Sequence, residues 1–212
     1  MIEAPASPTP RFLALGDSYT IGEGVDADEG WPAQLARRLR ARGIPVGDAQ
    51  IVAQTSWTTD ELAAAMDAGG FVPPYALVSL AAGVNNQYRG CDLANYRDEF
   101  SALFERARAL AGGYAQRVII VSIPDWGVTR FARAQGRDPS RIALDIDAFN
   151  AAACAIATAS GAAFVDVTAI SREAGDGPAW LVADGLHPSA AQYALWSDEL
   201  LAAAMRALTG PA

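Results

Sequence analysis

The sequence predicts an α/β fold, a three-layer α/β/α sandwich around a parallel five-stranded sheet. Two observations predict it. Five short apolar runs recur along the 212 residues, and longer helical patterns separate them. Each run is closed by Gly, Pro, Asp or Asn, and most lack alternation, as strands covered on both faces should. A chain of this length suits one core, and no linker, repeat or low-complexity block divides it. Residues 1–10, rich in Pro and Ala, read as a loose leader, and 11–212 as a single domain.

The elements follow in order. Arg11–Gly16 is the first strand. A helix over about Asp28–Arg42 places Trp31, Leu35 and Leu39 on one face, with Arg37, Arg38, Arg40 and Arg42 as its solvated face. Gln50–Gln54 is the second strand. Thr58 and Glu61 form a capping box ahead of Leu62 and Met66. Ala76–Ala82 is the third strand, followed by a long helix from about Leu93 to Leu110. Arg117–Ile123 is the fourth strand. The irregular stretch Pro124–Arg137 exceeds most connections in length and is a candidate lid. Asp138 and Pro139 open a helix to about Ser160, since proline suits the first helical position. Ala163–Val167 is the fifth strand. Ser189 and Gln192 form a second capping box, for a helix ending near Leu208.

Composition narrows the chemistry. The net charge is -8, all 16 positive charges are arginine, and His187 is the single histidine. Without lysine there is no Schiff-base catalyst, no Ser–Lys dyad and no P-loop lysine. One His and two Cys cannot build a structural zinc site; an oxygen-only Mg or Ca site stays open. The acidic balance argues against nucleic acid and anionic membrane surfaces as partners. Cys91 and Cys154 read as free thiols rather than a disulfide framework. No stretch approaches the roughly 18 apolar residues of a membrane span. The first ten residues lack the basic start of a signal peptide, so a cytoplasmic protein is expected.

Ligands in such sheets bind beyond the carboxyl ends of the strands. There Gly16-Asp17-Ser18 closes the first strand, where Ser18 either points its hydroxyl into the crevice or caps the next helix. The Gly-x-Ser-x-Gly elbow of α/β-hydrolases is not matched, because Thr20 stands at its last glycine. Near the other end, Asp184-Gly185-Leu186-His187-Pro188 precedes a capped helix. A serine hydroxyl is a poor nucleophile until a base removes its proton, and that base needs a carboxylate to set its tautomer. Ser18, His187 and Asp184 supply those roles, and no second base is available. Gly83-Val84-Asn85-Asn86 follows the third strand; the two Asn are either a turn pair or a source of an amide donor. The loop Thr55-Ser56-Trp57 offers a backbone N–H on the same rim.

In this order and at these strand ends, Gly-Asp-Ser, Gly-x-Asn and Asp-x-x-His-Pro resemble the SGNH hydrolase superfamily, the GDSL esterases and lipases of bacterial type. Trp57-Thr58-Thr59-Asp60-Glu61-Leu62 and Ile123-Pro124-Asp125-Trp126-Gly127-Val128 extend the likeness over about residues 11–205. The resemblance implies a flavodoxin-like sheet and hydrolysis of carboxylic esters or thioesters without metal or cofactor. It implies Ser18 as nucleophile, His187 as base and then acid, and Asp184 as orienting carboxylate. The oxyanion hole it implies is the Ser18 N–H, the Asn85 amide and a backbone N–H of the second loop. That last donor is usually glycine; here it is Ser56, with Gln54 as the other alignment. A left-handed backbone there costs Ser roughly 1–2 kcal/mol more than Gly. Asn86 stands where an aspartate often follows the asparagine.

Trp57, Tyr88, Trp126, Phe131 and Trp180 lie near the crevice and either line a substrate pocket or pack the core, while Trp31 and Trp196 are core. The leading expectation is a serine esterase for small acyl esters. A carbohydrate O-acetylesterase or thioesterase using the same site is the alternative, and a non-catalytic flavodoxin-like binding module is the third reading.

Overall fold

The computed structural model describes residues 8–210, so most of the expected leader lies outside the described residues. Five strands form one sheet: β1 (Phe12–Gly16), β2 (Ala49–Ala53), β3 (Leu77–Ala81), β4 (Val118–Val121) and β5 (Ala163–Val165). Their order is β2-β1-β3-β4-β5, and every neighbouring pair is parallel. The three central strands are buried throughout, which suits their apolar sequences. β2 is an edge strand and half-exposed, so the expectation of cover on both faces fails there.

Nine helices accompany the sheet among the described residues: α1 (Ser18–Ile21), α2 (Trp31–Ala41), α3 (Thr59–Asp67), α4 (Val84–Tyr88), α5 (Leu93–Leu110), α6 (Arg130–Ala134), α7 (Pro139–Ser160), α8 (Thr168–Ala174) and α9 (Ala190–Thr209). α2 packs on α9, while α5 packs on α3 and α7, giving one helical layer on each face. Local chemistry sets the long helices. Asp92 accepts from the Ala94 and Asn95 N–H groups to start α5, and Asp138 does the same for Ser140 ahead of Pro139 in α7. The Thr58–Glu61 box is complete. The second box is only half formed: Ser189 Oγ accepts from Gln192 N, but the Gln192 side chain donates to the Trp180 carbonyl instead.

The arginines of α2 are less free than a solvated face implies. Arg38 pairs with Asp198 of α9 at 2.9 Å and Arg40 with Asp48 at 3.0 Å. Cys91 and Cys154 are free and half-buried. The expectation of no span-like stretch needs correcting, because Pro139–Ser160 is long and apolar enough by length and composition to cross a membrane. Alanine produces that reading. In the fold its stripe Ile142, Ile146, Phe149, Ala153 and Ala157 is buried, and the helix packs on α5.

Candidate active site

The strand order reverses at β1, which lies between β2 and β3, and this opens a crevice at the strands' carboxyl ends. Gly16 closes β1, and a Cβ there would stand 2.1 Å from Thr20 Oγ1 and 2.6 Å from the Ala81 carbonyl. Only glycine lets the chain turn so tightly. Asp17 caps α1 by accepting from Tyr19 N at 3.1 Å, so Ser18 is the first helical residue rather than the cap. Its N–H is then one of the donors a helix start leaves unpaired.

Across 169 residues of chain, His187 Nε2 stands 2.9 Å from Ser18 Oγ. Its Nδ1 lies 2.6 Å from Asp184 Oδ2. The other oxygen, Asp184 Oδ1, accepts from the Leu186 N–H at 2.8 Å and the His187 N–H at 3.0 Å. Burial pushes the Asp184 carboxyl up, but these three hydrogen bonds outweigh it and hold it below the usual carboxylate range. Ser18 and His187 are buried, whereas the Asp184 side chain is 41% exposed. The arrangement is a proton relay: a carboxylate fixes an imidazole tautomer whose far nitrogen faces a hydroxyl. The Tyr19 ring packs on the imidazole, with centroids 5.2 Å apart.

The two asparagines divide their work. Asn85 donates from Nδ2 to the Trp57 carbonyl at 2.8 Å and lines the cavity, leaving the second N–H of its amide for a ligand. Asn86 is buried and bound twice to Thr59, accepting from its N–H at 3.0 Å and donating to its Oγ1 at 2.7 Å. It ties α4 to the start of α3. Ser56 has φ +70° and is the one non-glycine residue in the left-handed region among those described. Its carbonyl accepts from Arg89 at 2.5 Å, and Arg89 pairs with Glu61 at 3.3 Å. Ser56 lines the cavity and Gln54 does not, which favours the Ser56 alignment.

The cavity measures about 230 Å³. Ser18, His187, Asn85 and Ser56 form its polar side, and Val84, Tyr88, Trp126, Phe131 and Leu186 its apolar wall. Tyr88 meets Trp126 edge-on at 5.3 Å, and Trp126 Nε1 donates to Gln87 Oε1 at 2.8 Å, which fixes the indole. Two expected pocket residues fall elsewhere. Trp57 contributes its carbonyl to Asn85 but no surface to the cavity, and Trp180 faces a separate groove with Glu173 and Leu195. Trp57 follows β2 but packs against the core, and Trp180 follows α8 rather than a strand. The stretch 124–137 is no loose lid: it holds a 3₁₀ turn at Trp126–Val128 and α6, and Arg172 binds the buried Asp125 at 2.8 Å. It is a wall of the cavity.

Sequence reading missed Tyr19, Thr55, Val84 and Leu186 as lining residues. Each adjoins a motif residue, and that adjacency was the available signal. One further group stands out. Asp17, buried beside Ser18, has its carboxyl pushed up to about 7 by burial, against the lowering effect of the Tyr19 and Asp17 N–H groups. Among the described residues no three His, Cys, Asp or Glu side chains stand together as a metal site.

The sequence model of the GDSL-like lipase/acylhydrolase family matches residues 14–195. No curated protein matches the chain in sequence. Among solved structures, TesA shares 22% identity with a TM-score of 0.72, covering 93% of this chain and 99% of its own. The psychrotrophic esterase EstA from Pseudoalteromonas sp. shares 18% at 0.70, covering 92% of this chain and 97% of its own. A mutant of Axe2, an acetyl-xylooligosaccharide esterase from a Geobacillus, shares 20% at 0.68, covering 95% of each chain. At these identities the structural likeness establishes the fold.

Proposed function

The chain belongs to the GDSL-like lipase/acylhydrolase family and is a hydrolase; from that premise we propose that it is a serine esterase cleaving small carboxylic esters through an acyl-enzyme on Ser18. The observation that carries this reading is the unbroken contact from Asp184 through His187 to Ser18, opening on one cavity.

In the proposed reaction His187 Nε2 takes the Ser18 hydroxyl proton as Oγ attacks the ester carbonyl. Asp184 holds Nδ1–H and stabilises the imidazolium that forms. Negative charge builds on the carbonyl oxygen, where the Ser18 N–H, the Ser56 N–H and the free Asn85 amide N–H serve as donors. His187 then gives its proton to the leaving alkoxide. The alcohol departs, and water, deprotonated by the same imidazole, releases the acid and restores Ser18.

The size and wall of the cavity support small substrates. At about 230 Å³ it is below the roughly 300–1,000 Å³ of sites for drug-sized ligands. Its apolar side suits a short acyl chain or an aromatic alcohol, and its polar side holds the carbonyl. Ser18→Ala should abolish cleavage of a chromogenic acetate ester while leaving the fold intact. Full activity in that variant would sink the reading.

A second reading keeps the site and changes the substrate to an acetylated sugar, and the likeness to Axe2 favours it. Acetate, thioester and acetyl-sugar substrates competing at equal concentration separate the two by relative kcat/KM. The aromatic wall predicts that the aryl or alkyl ester wins.

A further inference from the structure

The base-bearing loop reaches the rest of the cavity through His187, and the backbone that carries Asp184 is held by other contacts. Its internal bonds are Val182 N–H to the His187 carbonyl at 2.9 Å and Gly185 N–H to the Val182 carbonyl at 3.0 Å. The Val182 carbonyl accepts a second donor, Arg130 Nη2, at 2.8 Å, and the same nitrogen stands 3.4 Å from the Ala183 carbonyl. The next residue of α6 joins in, as Phe131 N–H donates to the Gly185 carbonyl at 3.2 Å.

Gly185 shows how tightly the arginine fits. A Cβ on it would stand 2.4 Å from both Cγ and Nε of Arg130, so the side chain lies across the bare glycine. Gly185 also has φ +74°, a conformation glycine adopts without strain. Arg130 makes no ion pair among the described residues, so its guanidinium is committed to backbone carbonyls. Both contacts come from the one nitrogen Nη2, so a single ammonium placed there can supply part of them.

We propose that Arg130 is a positioning residue: its guanidinium clamps the Val182–Ala183 peptide and so holds Asp184 against His187. The clamp leaves α6 one residue before Phe131, which forms part of the cavity wall, so α6 serves both the wall and the acid–base loop. The catalytic benefit rests on the esterase reading; the positioning itself does not. A base displaced by tenths of an ångström loses rate, and a displacement near 1 Å costs roughly 100-fold.

The test uses Arg130→Ala, Arg130→Met and Arg130→Lys in the full chain. Met keeps the aliphatic stem over Gly185 and removes the donors. For Ala and Met we expect kcat on an acetate ester to fall roughly 10- to 100-fold with KM within about twofold, and Lys to recover much of the loss. A second readout needs no activity. His187 is the single histidine, so the far-downfield proton of its Nδ1–H is assignable without ambiguity. That signal should be sharp in the parent, lost to solvent exchange in Ala and Met, and present in Lys. A kcat within twofold and a sharp signal in Arg130→Met overturn the proposal, as does a loss of rate that only follows a loss of folded protein. If the parent cleaves no ester, the esterase reading fails by itself, and the proton signal still decides the role of Arg130.

Discussion

Two loops serve the cavity, and they are held by opposite means. The loop 180–189 carries Asp184 and His187 and is satisfied almost bond for bond: the Leu181–Pro188 bridge, the Val182–His187 bond and both oxygens of Asp184 are engaged. The loop 54–59 carries Ser56 exposed and in a left-handed conformation, restrained by Arg89 on its carbonyl and Asn85 on the next one. The difference follows from what each delivers. An imidazole must be aimed through side-chain torsions, and hydrogen bonds at both of its ends do that. A backbone N–H is aimed by φ and ψ, and here the bonds of Arg89 and Asn85 to the Ser56 and Trp57 carbonyls impose the strained dihedral. The first loop is held by its own hydrogen bonds, and the second by two side chains that grip its carbonyls from outside.

The largest test of this contrast removes the base. His187→Ala should lower kcat by about 10⁴-fold or more, since no other group in the chain can take the Ser18 proton. Loss of one oxyanion donor is smaller. Asn85→Ala should lower kcat by roughly 10²–10³-fold with KM little changed, measured on the same ester. A change under threefold would remove Asn85 from the hole.

The turn beneath Ser18 gives a stability test with a defined sign. Asp17 ionises near 3.8 when unfolded and about 7 when folded, so its contribution is fully present below pH 4 and lost as pH rises to 7. Asp17→Asn keeps the acceptor for Tyr19 N–H and does not titrate. Its stability advantage in urea unfolding should grow by roughly 2 kcal/mol between pH 5 and pH 8. An advantage that shrinks with rising pH contradicts the buried carboxyl.

The smallest effect probes the strained loop. Ser56→Gly should raise stability by about 1 kcal/mol, because glycine accepts φ > 0 freely, while kcat stays within about threefold. If instead kcat collapses, the Ser56 side chain takes part in the chemistry, and the loop is more than a backbone donor.

How much of this the sequence carries depends on range. The start of α7 coincides with the expected one, because Asp138 and Pro139 act within one turn. The four short helices, α1, α4, α6 and α8, are too brief for any periodic signal. The relay was legible because a lone histidine leaves no second base, and because Gly-Asp-Ser and Asp-x-x-His-Pro in that order resemble the SGNH hydrolases. Trp57 and Trp180 were misplaced because a loop position does not say which way its side chain turns. Arg130 was invisible for a stronger reason: its partner lies 52 residues away, and nothing local marks an arginine as a clamp on backbone carbonyls.

The most direct measurement treats the protein and its His187→Ala variant with an organophosphorus ester and maps the adduct by mass spectrometry. One adduct on Ser18 in the parent, and none in the variant over the same time, is the predicted result. An adduct on another residue, or equal labelling of Ser18 without the histidine, contradicts a serine activated by the Asp184–His187 pair.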